Sequence, residues 1–95
     1  MCTDKKDSDF ILVNVAEEAV RRKTAELMKT MDICQCQKCF LNTCAIVLNS
    51  VKPKYVTTIK GALFSEIETT ILQYQVDLTF DIIKALEIVK KSPRH

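Results

Sequence analysis

A single glycine, Gly61, serves the whole chain of 95 residues, so no glycine-rich loop exists to cradle a phosphate chain. Histidine is as scarce. The only one, His95, is the last residue, and a Cys–His nucleophilic pair would need that tail to be ordered. Acidic pairs such as Glu66 and Glu68 point to different helical faces and read as capping groups rather than as an acid and base, so the expectation is a protein that is not an enzyme. Charge of one sign is lacking too: 14 basic against 12 acidic residues leave a net +2. Nucleic-acid modules carry a clear basic excess, so direct DNA binding is not expected. No apolar run approaches the roughly 18 residues of a membrane span, which excludes a membrane anchor of that kind. The short run from Phe10 to Val13, cut off by Asn14, is too brief for a signal-peptide core. A cytoplasmic protein is expected.

What the chain does have is apolar surface arranged at helical intervals. Hydrophobic residues make up 47% and charged residues 27%, the balance of a folded globular domain. At this length one domain is expected, with a modest core that a bound metal or a second copy would support. Residues 1–9 are polar and read as a disordered tip, and residues 10–95 as the domain. Asn14-Val15-Ala16-Glu17 is a capping-box pattern that opens a first helix, with Ala16, Val20, Leu27 and Met31 on its core side, ending near Met31. Arg21, Arg22 and Lys23 invite a phosphate-binding reading, but a charge run on a helix reads first as its solvated face. A short second helix spans Phe40 to Val51, with Phe40, Cys44, Val47 and Leu48 inward and Ala45 and Ile46 widening the buried face. Pro53 stops it. Tyr55 to Ile59 is rich in β-branched and aromatic residues and reads as extended, and Gly61 is the one easy site for a positive φ.

Ser65-Glu66-Ile67-Glu68 is a second capping box, and neither proline nor glycine follows before Pro93. A long third helix of roughly 25 residues is predicted there. It is apolar on two sides. Ile67, Ile71, Tyr74, Leu78, Ile82, Ala85 and Val89 form one stripe, and Leu72, Val76, Phe80 and Ile83 another about half a turn away. Two short partner helices cover one stripe more easily than both, so a homodimer with the long helix at or near its interface is predicted. The fold expected is a small all-α domain of three to four helices, with a cysteine cluster between the first and second and a long C-terminal helix.

That cluster carries the chemistry. Cys34, Cys36 and Cys39 fall at C-x-C-x2-C spacing, and Cys44 follows. Bridges between residues so close are geometrically awkward and rarely persist in the cytosol. Thiolates gathered within a few residues instead suit a soft cation such as zinc, here a structural site of Cys34, Cys36 and Cys39 with Cys44 as the fourth candidate. Two rivals stand beside it: reduced structural thiols, Cys44 in particular being a small apolar residue inside a helix, and a redox-sensing cluster. Cys2, in the polar tip, reads as an incidental thiol.

A second candidate site follows the second helix. Lys52, Lys54 and Lys60 supply positive charge, Tyr55 a flat face for a base, and Thr57 and Thr58 hydroxyl donors, a set suited to a phosphorylated purine. The alternative is that Tyr55 and Val56 pack in the core or a dimer contact while the lysines are solvated.

The same stretch resembles the late competence development protein family, ComFB. Its members carry a C-x-C-x2-C cluster, an acidic residue, an alanine- and leucine-rich helix ending in Leu-Asn, a proline step and Tyr-Val-Thr. The matching residues are Cys34, Cys36, Cys39, then Ala45, Leu48, Asn49, then Pro53 and Tyr55, Val56, Thr57. Asn42 stands where the family usually has the acid, and Val51-Lys52 replaces a common Leu-Pro. The likeness runs from Asn14 to Val89. It implies a role linked to competence and a receptor for a cyclic dinucleotide, cyclic di-GMP or cyclic di-AMP, that passes its signal to a protein partner. Set against it are an interaction protein of the DNA-uptake machinery with no small ligand, and a thiol redox sensor.

Overall fold

The Asn14 side chain accepts a hydrogen bond from the Ala16 N–H at 3.1 Å, ending a strand and starting a helix in one step. In the computed structural model, which describes residues 10–91, the order is β1 (Phe10–Asn14), α1 (Val15–Met28), α2 (Gln37–Leu48), β2 (Tyr55–Thr58), α3 (Ile59–Glu68) and α4 (Leu72–Lys91). The expected disordered tip, Cys2 and His95 lie outside the described residues. The chain is mostly helical, as expected, with a small sheet added.

The core lies where α1, α2 and α4 meet. Val20 and Met28 from α1, Cys39, Cys44 and Val47 from α2, and Leu78, Ile82, Ala85, Leu86 and Val89 from α4 form one buried cluster. Each helix contributes the stripe that recurs at three- and four-residue steps. In α2 the buried face is Cys39, Thr43, Cys44 and Val47. Ala45 and Ile46 are exposed, contrary to the expectation that they widen it, because α1 and α4 cover only one side of this helix.

The sheet joins β1 to β2 antiparallel, pairing Phe10 with Thr58, Val13 with Val56 and Asn14 with Tyr55, with an irregularity between Phe10 and Val13. The apolar run before Asn14 is thus the partner of the predicted extended segment. A backbone bond from Val15 N–H to the Lys54 carbonyl, 2.8 Å, continues the attachment past the strand end.

The predicted single helix from Ser65 is two helices. Thr58 caps α3 by accepting from the Gly61 N–H at 2.9 Å, so Ser65 lies inside that helix and its carbonyl accepts from Thr69 N–H. Helix α3 ends because the Thr69 and Thr70 hydroxyls donate to the carbonyls of Glu66 and Ile67, both at 2.6 Å, while Gln75 Nε2 donates to the Thr69 carbonyl. Gly61 does not adopt a positive φ. Its use is room: a Cβ there would stand 3.0 Å from Thr58 Oγ1, the capping oxygen itself. Helix α1 ends at Met28, and Glu17, expected to complete a capping box, pairs with Arg21 instead.

Of the two stripes, Leu78, Ile82, Ala85 and Val89 are buried. Ile67 and Ile71 lie across the helix break and are exposed. The second stripe stays largely open: Leu72 is 77% and Phe80 62% exposed, with Val76 beside them. Helix α3 buries no residue at all. The molecule measures 51 × 31 × 20 Å, elongated rather than round. No helix among the described residues is long and apolar enough to cross a membrane.

Candidate functional site

One side chain, that of Gln35, reaches across the turn between α1 and α2. Gln35 Nε2 donates to the carbonyls of Met28 at 2.7 Å and Ile33 at 3.1 Å, so its amide clasps the last α1 carbonyl, which also accepts from Met31 N–H at 3.3 Å. This fixes the flanking residues, Cys34 and Cys36. Cys36 is the N-cap of α2, its sulfur accepting from the Cys39 N–H at 3.4 Å. Cys39, in the first turn, points into the core and is 1% exposed, while Cys34 and Cys36 are open to solvent. Thr43 donates its hydroxyl to the Cys39 carbonyl at 2.8 Å and secures the same turn.

The three sulfurs all lie within 4.8 Å of one another. A tetrahedral zinc with bonds of about 2.3 Å wants thiolates about 3.8 Å apart, so the group fits the ion with small inward movements. Bound there, zinc would tie the end of α1 to the start of α2 through Cys34, Cys36 and Cys39. The sulfurs differ in their hold on a proton. The Cys39 N–H, and after it the Cys34 side chain, favours the Cys36 thiolate and lowers its pKa. Burial, with the Cys36 and Cys34 thiols adding to it, pushes Cys39 up to about 12.

Cys44 stands apart. Five residues beyond Cys39 it has turned by about 140° around the helix axis, and it joins the core rather than the three-sulfur group. Burial raises its pKa, with the Thr24 side chain working against that shift. The Thr24 hydroxyl oxygen is itself buried without a hydrogen-bond partner. In this position Cys44 acts as a packing residue.

The candidate ligand residues divide between two places. Strand β2 alternates, which puts Tyr55 and Thr57 on its open side and Val56 and Thr58 on the other. Tyr55, 63% exposed, lines a groove of about 510 Å³ with Leu12, Asn14, Glu18, Arg21 and Glu66. Lys52 and Lys54 line a separate hollow of about 330 Å³, facing Tyr74, Asp77 and Asp81 from α4. There the Lys54 ammonium sits 5.0 Å from the centre of the Tyr74 ring. Burial raises the Tyr74 pKa. Thr58 is engaged in capping, and Lys60 lies exposed on α3. The six residues are therefore spread over two hollows, β2 and α3: Tyr55, Thr57 and Thr58 lie on the strand, Lys52 and Lys54 come before it, and Lys60 comes after it.

Sequence reasoning missed three residues that shape these places. Gln35 reads as filler between cysteines, and only the folded turn shows its amide spanning seven residues. Arg21 stands within a charge run that reads as a solvated face, yet it lines the same groove as Tyr55. Asn14 was recognised as a cap, but its oxygen also accepts from the Lys54 N–H at 2.8 Å, a contact across 40 residues.

A mostly helical module with a two-stranded clasp and a three-cysteine turn is the class of protein that these features define. The family model described as late competence development protein ComFB matches residues 13–93. The chain belongs to the ComFB family. Its fold is similar to a solved structure of the late competence protein ComFB from Bacillus subtilis, with 27% sequence identity, a TM-score of 0.80, and coverage of 88% of this chain and 93% of that one. No curated protein matches the chain.

Proposed function

We propose that this ComFB protein is a non-enzymatic signalling module that binds a cyclic dinucleotide as a homodimer and relays the signal to a protein partner, with zinc fixing the turn between α1 and α2. The observation that carries the nucleotide reading is the open Tyr55 ring, which borders the larger groove together with Arg21 and shares its strand face with Thr57. An exposed aromatic face beside a guanidinium suits a base next to a phosphodiester. Glu17, Glu18 and Glu66 also border that groove, and Arg21, its one basic lining residue among the described residues, is paired with Glu17, so a phosphate there would have to compete with that pair within one copy. A two-fold nucleotide spanning a two-fold dimer would draw on two such guanidinium groups.

The dimer reading is supported by the open apolar face. Ile59, Leu63, Phe64 and Ile67 on α3 and Leu72, Val76 and Phe80 on α4 are all exposed. Monomeric proteins rarely leave so many large apolar side chains uncovered. The same face favours a second reading, an interaction protein of the DNA-uptake machinery that needs no small ligand.

Titration calorimetry with cyclic di-GMP and cyclic di-AMP tests the first reading. Heat with one of them, weakened at least about tenfold by Tyr55→Ala, as loss of a stacked base implies, is the expected result. No heat from either at high micromolar concentration overturns it in favour of the second. Light scattering on Phe80→Glu should show monomer where the unmodified chain shows dimer.

A further inference from the structure

Within the three-sulfur turn, Cys36 and Cys39 make a C-x-x-C pair whose first member caps a helix and whose second is buried one turn on. Their situations differ in every respect that matters for thiol exchange. Cys36 is open to solvent and receives a backbone N–H, the setting of an attacking sulfur. Cys39 is screened from any external reagent, yet its sulfur lies within 4.8 Å of the Cys36 sulfur. Close spacing makes a bridge look awkward in the sequence. Residues three apart at a helix start, however, have Cα atoms about 5–6 Å from each other, within the range a disulfide spans, so the fold removes that objection for Cys36 and Cys39. Cys34 is also exposed but caps no helix, and its backbone belongs to the turn that Gln35 pins.

We propose that Cys36 and Cys39 are a redox-active dithiol, with Cys36 the attacking and Cys39 the resolving sulfur, closed to a disulfide by a low-molecular-weight disulfide when no metal occupies the turn. The Cys36 thiolate attacks one sulfur of the oxidant, forming a mixed disulfide and releasing one thiolate. Cys39 then attacks the Cys36 sulfur, its proton passing to the second thiolate as that leaves. Two protein thiols are oxidised and one external disulfide is reduced to two thiols. The pair shares its sulfurs with the proposed zinc site, so metal and disulfide exclude each other and zinc guards the pair. The inference does not depend on the nucleotide.

The test treats full-length, chelator-stripped protein with oxidised glutathione and reads the products by intact-mass and peptide-mapping spectrometry. The expected product has lost two hydrogen atoms, with the bridge mapped to Cys36 and Cys39. Cys39→Ser should stop at the mixed disulfide, with one glutathione on Cys36. Cys36→Ser, which keeps a good capping oxygen, should take none on Cys39. Circular dichroism checks that both variants remain helical. A bridge mapped mainly to Cys34, glutathione on Cys39 in Cys36→Ser, or no oxidation of the stripped protein overturns the proposal. Repeating the reaction on protein given zinc separates the two readings: protection supports the shared site, whereas an unchanged rate with the bridge still at Cys36 and Cys39 refutes the metal reading and leaves the dithiol standing.

Discussion

Asn14 offers the sharpest test of how the parts are joined, because one oxygen serves two elements. It accepts from Ala16 N–H to start α1 and from Lys54 N–H to hold the segment that leads into β2. Replacing it by alanine removes an N-cap, worth about 1 kcal/mol. It also leaves the partly buried Lys54 N–H unpaired, at about another 1 kcal/mol, the low end of the usual range since water can reach it. The sum, about 2 kcal/mol, is a large share of the stability of a domain this small, on the order of 5–10 kcal/mol. It corresponds to a melting temperature lower by roughly 10 °C. Asn14→Ser divides the effect: serine caps the helix but is too short to reach Lys54 as well, so about half the loss should remain. Thermal and urea unfolding of the two variants check this. A loss below about 0.5 kcal/mol for Asn14→Ala, or none for Asn14→Ser, would refute the dual role.

Thr58→Ala should cost about 1 kcal/mol through the lost cap of α3. Amide exchange should rise mainly in α3, which has no buried residue to hold it otherwise. A rise spread evenly over α1 and α4 would contradict that. Zinc uptake should depend on pH, since the ion binds thiolates and burial pushes the Cys39 proton's pKa up to about 12. Below that value the free thiol keeps its proton and binding must release it, so affinity should fall as pH is lowered from 8 to 6. Competition with a chromophoric chelator measures the slope, and a flat profile would contradict thiol ligation.

Much of this architecture was legible in the residues. Asn14 announced the start of α1, and the spacing of Leu78, Ile82, Ala85 and Val89 announced which side of α4 is buried. The thiol turn was legible because it is local: its three cysteines lie within six positions of sequence. What could not be read is what depends on distant pairing. Phe10–Val13 looks like an apolar scrap until Val56 and Thr58 are set opposite it. The break at Thr69 and Thr70 arises from hydroxyls turning back on their own helix, which no missing glycine or proline would reveal. The placement of the candidate ligand residues was hidden for another reason. Charge and aromaticity lie close together along the chain, but the folded segment parts them: Lys54, just before β2, meets Tyr74, while Tyr55, on the strand, lines the groove that Arg21 also lines.

The central claim is that the turn joining α1 to α2 is closed through Cys34, Cys36 and Cys39 by a metal ion. Native mass spectrometry of the purified chain tests it most directly, compared with a variant in which those three cysteines are serine. The account predicts one zinc per chain, absent from the variant. A fully folded chain carrying no ion after zinc has been supplied, or an equal zinc content in the variant, would contradict it.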